Sequence, residues 1–207
     1  MTTRIIYDTE FIDDGLTITP LSIAMRRSDG ATLYAVNDSL EAMARAADRA
    51  WLRDYVLRWL PLEIDLRANT AAGAINAHVQ WDEDHPDYGY VRALEEISDM
   101  VEDFVLERPD PQLWAYYSSF DHVFYSQLYG PMAELPHGMP MFTLDVKQLA
   151  VSLGDPNLPQ LPTEIVEKEY GGVRREHDAR YDAHEEEFRL AWLLDENRKP
   201  GGGSWRS

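Results

Sequence analysis

The sequence predicts an α/β protein built on one mixed sheet covered by helices. Three observations carry this. β-prone runs joined by short connections fill the first 36 residues, strands and helices alternate from residue 112 onward, and helical periodicity lies between. Arg4 to Tyr7 is the first strand, with Asp8 directly behind it. Leu16 to Arg27 and Thr32 to Val36 follow, separated by the turn signal Ser28-Asp29-Gly30. Asn37-Asp38-Ser39 offers N-cap residues to a helix that Pro61 ends. Residues 65 to 90 are polar and irregular, an excursion from the core. Val91, Leu94, Ile97, Val101 and Val105 form the apolar stripe of a second helix from Tyr90 to Leu106.

The later elements are shorter. Gln112 to Tyr117 is a buried strand, and Phe120 to Tyr129 a helix behind Ser118-Ser119. Met141 to Leu144 is a strand ending on Asp145, and Val146 to Leu153 a helix. A proline-rich linker runs through Pro156, Pro159 and Pro162. Asp178 to about Arg198 is a long final helix. Residues 1–198 read as one domain with a helical insertion over about 39–107, and 199–207 as a flexible tail.

The chain has 207 residues, 44% of them apolar, ample for a core. It has no cysteine, which excludes disulfides, a thiolate zinc site and a cysteine nucleophile. No apolar run nears the ~20 residues that span a bilayer, so no membrane is expected. No basic segment followed by an apolar one opens the chain, and a cytoplasmic protein is the expectation. The net charge of −18 argues against broad electrostatic binding of nucleic acid. It leaves room for an enzyme that holds cations in an acidic pocket and grips only a strand end.

Among so many acids, placement decides. Asp8-Thr9-Glu10 holds the one Asp-x-Glu of the sequence, and it ends an apolar strand. Residues two apart on a strand share a face, so two carboxylates repel each other beside the core, and a divalent cation would relieve them. Taken alone, an exposed strand end is the commoner outcome. Asp121 follows Phe120 where a strand gives way to a helix; alone, it reads as a charge at a helix start. Of six histidines, His177 is the one with an Asp five positions on, Asp182. His177 falls on a loop and Asp182 in the first turn of the last helix.

Together these placements give the order Asp, Glu, Asp, His, Asp. The chain here resembles the DEDDh branch of the 3′–5′ exonuclease superfamily over roughly residues 4 to 195. Asp8 and Glu10 match its first motif, Phe120-Asp121 its second, and His177 to Asp182 its third. The sister branch has Tyr where this chain has Asp178. The resemblance implies an RNase H-like fold, a mixed five-stranded sheet flanked by helices. Tyr7 to Phe11, Leu113 to Tyr117, Leu135 to Pro140 and Thr143 to Leu149 are further similar to the actinobacterial RNase AS group, exoribonucleases that prefer adenylate-containing RNA.

What the resemblance implies is a Mg²⁺-dependent 3′–5′ exoribonuclease. Asp8 bridges two ions with Mn²⁺ able to substitute, Glu10 and Asp182 complete one site, Asp121 holds the second ion, and His177 is the general base. A histidine with an unperturbed pKa of ~6.5 suits that role. Phe11 and Ile12 would pack on terminal bases, with core packing an even alternative for Phe11. Arg174 and Arg175 would meet phosphate or remain solvated. Asp145 reads as a cap, His184 beside Glu185, Glu186 and Glu187 as helix surface, and Trp114, Tyr116 and Tyr117 as sheet core. The implied partner is the 3′ end of single-stranded RNA, with a homodimer typical of the family. Two alternatives stay open: a single-strand DNA exonuclease, and a catalytically idle module that binds a protein.

Overall fold

The computed structural model describes residues 2–69, 74–155 and 157–195. The expected tail therefore lies outside the described residues. The chain opens with three antiparallel strands, β1 (Thr3–Asp13), β2 (Ile18–Arg27) and β3 (Thr32–Asn37). The stretch expected as one helix is broken into α1 (Leu40–Ala47) and α2 (Ala50–Tyr55), because Arg49 takes an extended conformation. Ser39 caps α1 by accepting from the Ala42 N–H.

The insertion is not wholly helical. Strands β4 (Leu62–Asn69) and β5 (Ala74–Trp81) pair antiparallel as a separate two-stranded sheet. Leu62, Ile64, Ala77, Val79 and Trp81 pack on the cluster around α1. Next come β6 (Val91–Arg92), α3 (Leu94–Leu106), β7 (Pro111–Ala115), α4 (Ser119–Gln127), β8 (Thr143–Asp145) and α5 (Val146–Ser152). Beyond the proline-rich linker lies α6 (Thr163–Tyr170), where the sequence reading named no element, and the chain continues into α7 (Ala179–Leu194).

The main sheet has six strands, not five, in the order β6-β3-β2-β1-β7-β8. The extra one is β6, two residues paired parallel to β3 where the apolar stripe predicted helix. Side chains alternate along β1. Ile5 and Tyr7 face α3 and α4, in a cluster with Ile97, Val101, Val105 and Phe124. Ile6 points the other way, toward Val146, Leu190 and Leu193 of α5 and α7. Ile12 joins Met43, Ala46 and Ala183 on that second face. The apolar residues of α1 and α3 thus cover the sheet, while Leu40, Trp51, Tyr55 and Leu106 remain exposed. No helix among the described residues is long and apolar enough to cross a membrane.

One detail of topology creates the site. β7 pairs with β1 only from Thr3 to Ile6, and then leaves the sheet. From Asp8 onward that edge of β1 has no strand beside it.

Candidate active site

The open edge of β1 is filled by the start of α4. Asp121 accepts the Thr9 backbone N–H at 3.0 Å and the Thr9 hydroxyl at 2.6 Å, replacing the missing strand partner. Thr9 is thereby turned toward α4. Asp8 and Glu10, its neighbours, take the alternate face and meet α7. Asp182 on α7 accepts the His177 N–H at 2.7 Å, which ties the preceding loop to the helix. His177 has φ of 65°, a left-handed conformation in which His is one of the tolerated residues. Trp59 Nε1 donates to the Glu176 carbonyl at 3.0 Å and pins the loop from the insertion side.

Asp8, Thr9, Glu10, Asp121, His177 and Asp182 line one open cleft of about 390 Å³, together with Phe11, Trp51, Tyr116, Tyr117, Phe120, Glu186 and Arg189. Donor atoms of Glu10, His177 and Asp182 all lie within 4.8 Å of one another. Trp51 packs edge-on against the His177 ring, centroids 4.7 Å apart. Phe11 stacks on Phe120 at 5.8 Å.

Charge is concentrated here without cations to match. Burial is the largest cause that raises the pKa of Asp8, and repulsion from Glu186, Asp182, Asp121 and Glu10 adds to it. Glu10 is raised by burial and then by Asp182, Asp121 and Asp178. Burial pushes Asp121 up to about 6 against the two Thr9 hydrogen bonds, and Asp182 up to about 7 against the His177 N–H. His177 is lowered by burial, with Glu176 opposing, so its ring is neutral and ready to accept a proton at pH 7. Arg189, the cation of the cleft, pairs with Glu185 and donates to the Pro159 carbonyl.

Does this constellation fit a divalent cation? Asp8 Oδ2 is buried and has no hydrogen-bond partner. A buried carboxylate oxygen without a donor is costly. Carboxylate oxygens line the cleft with that atom, and those of Glu10 and Asp182 gather with the His177 imidazole within 4.8 Å, a donor set that Mg²⁺ or Mn²⁺ takes. The residues fit the ion.

Two 3′–5′ exoribonucleases of Mycobacterium tuberculosis, one from strain CDC 1551 / Oshkosh and one from strain ATCC 25618 / H37Rv, are each 32% identical to the chain over 197 residues. The match covers 93% of this chain and 95% of each relative. The chain belongs to the 3′–5′ exoribonuclease family. These relatives support the DEDDh 3′–5′ exonuclease superfamily that the motif resemblance implies. A moderately thermophilic exonuclease I from Methylocaldum szegediense has a similar fold, with TM-score 0.51 and 16% identity. That likeness covers 94% of this chain and 41% of the larger one, and it supports the RNase H-like architecture. No family model matches the chain.

In this family member the five motif residues come together as the sequence implies, and other expectations are corrected. Ile12 is fully buried in the core, so its side chain does not reach the cleft, whereas Phe11 does line it. Arg174 and Arg175 do not line it. Arg174 instead donates to the Tyr181 hydroxyl and the Leu161 carbonyl. Tyr117 is 61% exposed rather than core. His184 is buried, with Nδ1 3.0 Å from the Tyr170 hydroxyl. Asp145 is a cap as expected, accepting the Gln148 N–H at 2.8 Å.

Glu186 is the residue that sequence reasoning missed. It lies on α7 one turn beyond Asp182, is 4% exposed, and accepts the Tyr116 N–H at 3.2 Å. Burial, then Asp121 and Asp182, raise its pKa well above the usual range. The i, i+4 spacing from Asp182 was the available signal.

Proposed function

We propose that the protein removes nucleotides from the 3′ end of single-stranded RNA by metal-assisted hydrolysis, releasing nucleoside 5′-monophosphates. The observation that carries this is the buried, unpartnered Asp8 oxygen at the centre of five mutually repelling carboxylates, beside a neutral histidine. Mg²⁺ is the proposed resident ion, two of them as in the family's arrangement, and Mn²⁺ substitutes. Asp8, Glu10, Asp121 and Asp182 hold them. When bound, such ions neutralise the phosphodiester and acidify a water.

The chain's own residues do the rest. His177 accepts the proton of the attacking water at its ring nitrogen. The water oxygen bonds to the terminal phosphorus, the bond to the preceding 3′-oxygen breaks, that oxygen takes a proton from solvent to become the new 3′-hydroxyl, and the 5′-monophosphate leaves. Asp182 orients His177 by holding its backbone N–H. Phe11, Trp51 and Phe120 present ring faces and edges for the terminal base, and stacking of that kind contributes ~1–3 kcal/mol per base. Preference for adenylate, and for RNA over DNA, follows from the likeness to the RNase AS group. A second copy of the chain is the further partner that likeness suggests.

A time course on 5′-labelled oligo(A), oligo(U) and oligo(dA), with and without Mg²⁺, tests the proposal. It predicts stepwise shortening from the 3′ end, only with metal, fastest on oligo(A). Equal rates on oligo(A) and oligo(dA) would remove the RNA preference. No shortening of any strand would remove the activity.

A further inference from the structure

A strand whose 3′ end is held at Asp8 must leave the cleft on some path. A second cavity, of about 710 Å³, opens beside the cleft between α4 and α5. It is lined by Tyr117, Ser119, Phe120, Lys147, Gln148 and Val151, among others. Tyr117 and Phe120 line both cavities, so the two adjoin. Neither the motifs nor the comparisons assign this groove a role.

Its rings are held outward. Tyr117 has φ of 59°, an uncommon conformation for a bulky residue. The backbone on both sides of it is fixed by carboxylates. Glu186 accepts the Tyr116 N–H at 3.2 Å, and Asp145 accepts the Ser118 N–H at 2.8 Å. Tyr117, Phe120 and Val151 are 61%, 50% and 43% exposed, a run of apolar surface. Asp145 is the one acid lining the groove, and its two oxygens accept the Ser118 and Gln148 N–H groups. Lys147, one of three lysines in a chain of net charge −18, is there too, its ammonium 5.9 Å from the Tyr116 ring centroid.

We propose that this groove holds the nucleotides upstream of the cleaved end, their bases against Tyr117, Phe120 and Val151 and a phosphate near Lys147. The occupant is a single-stranded polynucleotide. An apolar floor with one cation suits a strand that binds by stacking, and duplex DNA keeps its ring faces stacked on one another. The inference rests on the exonuclease reading for its direction, since it sets the 5′ side of the strand over α5.

The test uses Val151→Glu and Lys147→Ala in the full chain, neither residue lining the catalytic cleft. Binding of a fluorescein-labelled adenylate hexamer is followed by anisotropy, and hydrolysis of the adenylate dinucleotide by product release. Each variant is expected to weaken hexamer binding about tenfold, the scale of one lost base stack or phosphate contact. Dinucleotide kcat/KM should stay within about twofold of wild type, because its single upstream nucleotide is met by Tyr117 and Phe120, which line both cavities, and not by Lys147 or Val151, which line the groove alone. Hexamer binding unchanged in both variants overturns the proposal, as does a wild type that binds no hexamer. An equal loss on hexamer and dinucleotide overturns it too, by making the substitutions structural. Failure of wild type to cleave the dinucleotide or any longer strand sinks the exonuclease reading instead, while the binding arm still decides the groove.

Discussion

Two groups of acids sit toward opposite ends of β1, and their surroundings differ. Near its start, Arg27 is buried and donates to Asp29 at 2.9 Å and to Glu107 at 2.8 Å. Asp29 also accepts from Arg108 and from the Ala31 N–H. The Arg27 hydrogen bond, first among these, holds the Asp29 carboxyl well below its usual range. From the middle of β1 onward, Asp8, Glu10, Asp121, Asp182 and Glu186 are buried or half-buried, Arg189 opposes the shift at Asp182 and Glu186, and every one is still raised. The first group is complete as folded. The second has five acids against one arginine, Arg189, and that deficit marks the site.

Substitutions at the two ends should therefore behave differently. The largest effect is expected from Asp8→Asn. It should cut hydrolysis by at least ~10²–10³, as for losing a central electrostatic group, while melting at or above the wild-type temperature without metal. Activity near wild type at saturating Mg²⁺ would contradict the assignment. His177→Ala should lower turnover by ~10²–10⁴, the span for a general base, with Mn²⁺ affinity by calorimetry little changed. Loss of Mn²⁺ binding there would make His177 a ligand. At the other end, Arg27→Ala should leave kcat intact and lower Tm by roughly 3–10 °C, the scale of losing charged hydrogen bonds in a chain of this size. If Arg27→Ala removed activity from the folded protein, the division between the two ends would fail.

The sequence carried the site better than the fold around it. Asp121, His177 and Asp182 sit at or just before helix starts, while Asp8 and Glu10, expected at a strand end, lie within β1, where alternation fixes the face they share. Glu186 was hidden because three consecutive acids on α7 look like a solvated face until the path of β1 is known. The β4 and β5 hairpin was legible in part. Leu62 and Ile64 alternate with Glu63 and Asp65 at the period of a strand, but acids are poor strand formers and masked it. α6 was lost behind Pro159 and Pro162, although proline before a first turn is compatible with a helix. β6 is two residues long, and no periodicity can announce so short a strand. Ile12 was misjudged because it follows the Asp8 and Glu10 pair in sequence, yet the alternation that turns those two to α7 carries Ile12 into the core beyond.

The contrast between the two ends reduces to one measurement: Tm of the metal-free protein at about pH 7 and about pH 8.5, with and without Mg²⁺. Carboxylates titrate near 3.9–4.3 when unfolded. Folded, Asp182 is pushed to about 7, and Asp8, Glu10 and Glu186 are raised well above their usual range. In this window the folded state therefore binds more protons than the unfolded one, and stability falls as pH rises. His122, His177 and His184 are lowered by burial, so they act in the opposite sense, chiefly below this window. A cation that binds the ionised acids stabilises the fold by mass action, most where they are fully ionised. The account predicts a lower Tm at pH 8.5 without metal, and a gain from Mg²⁺ that is larger at pH 8.5 than at pH 7. A metal-free protein that is more stable at pH 8.5, with Tm indifferent to Mg²⁺ at both values, would contradict it.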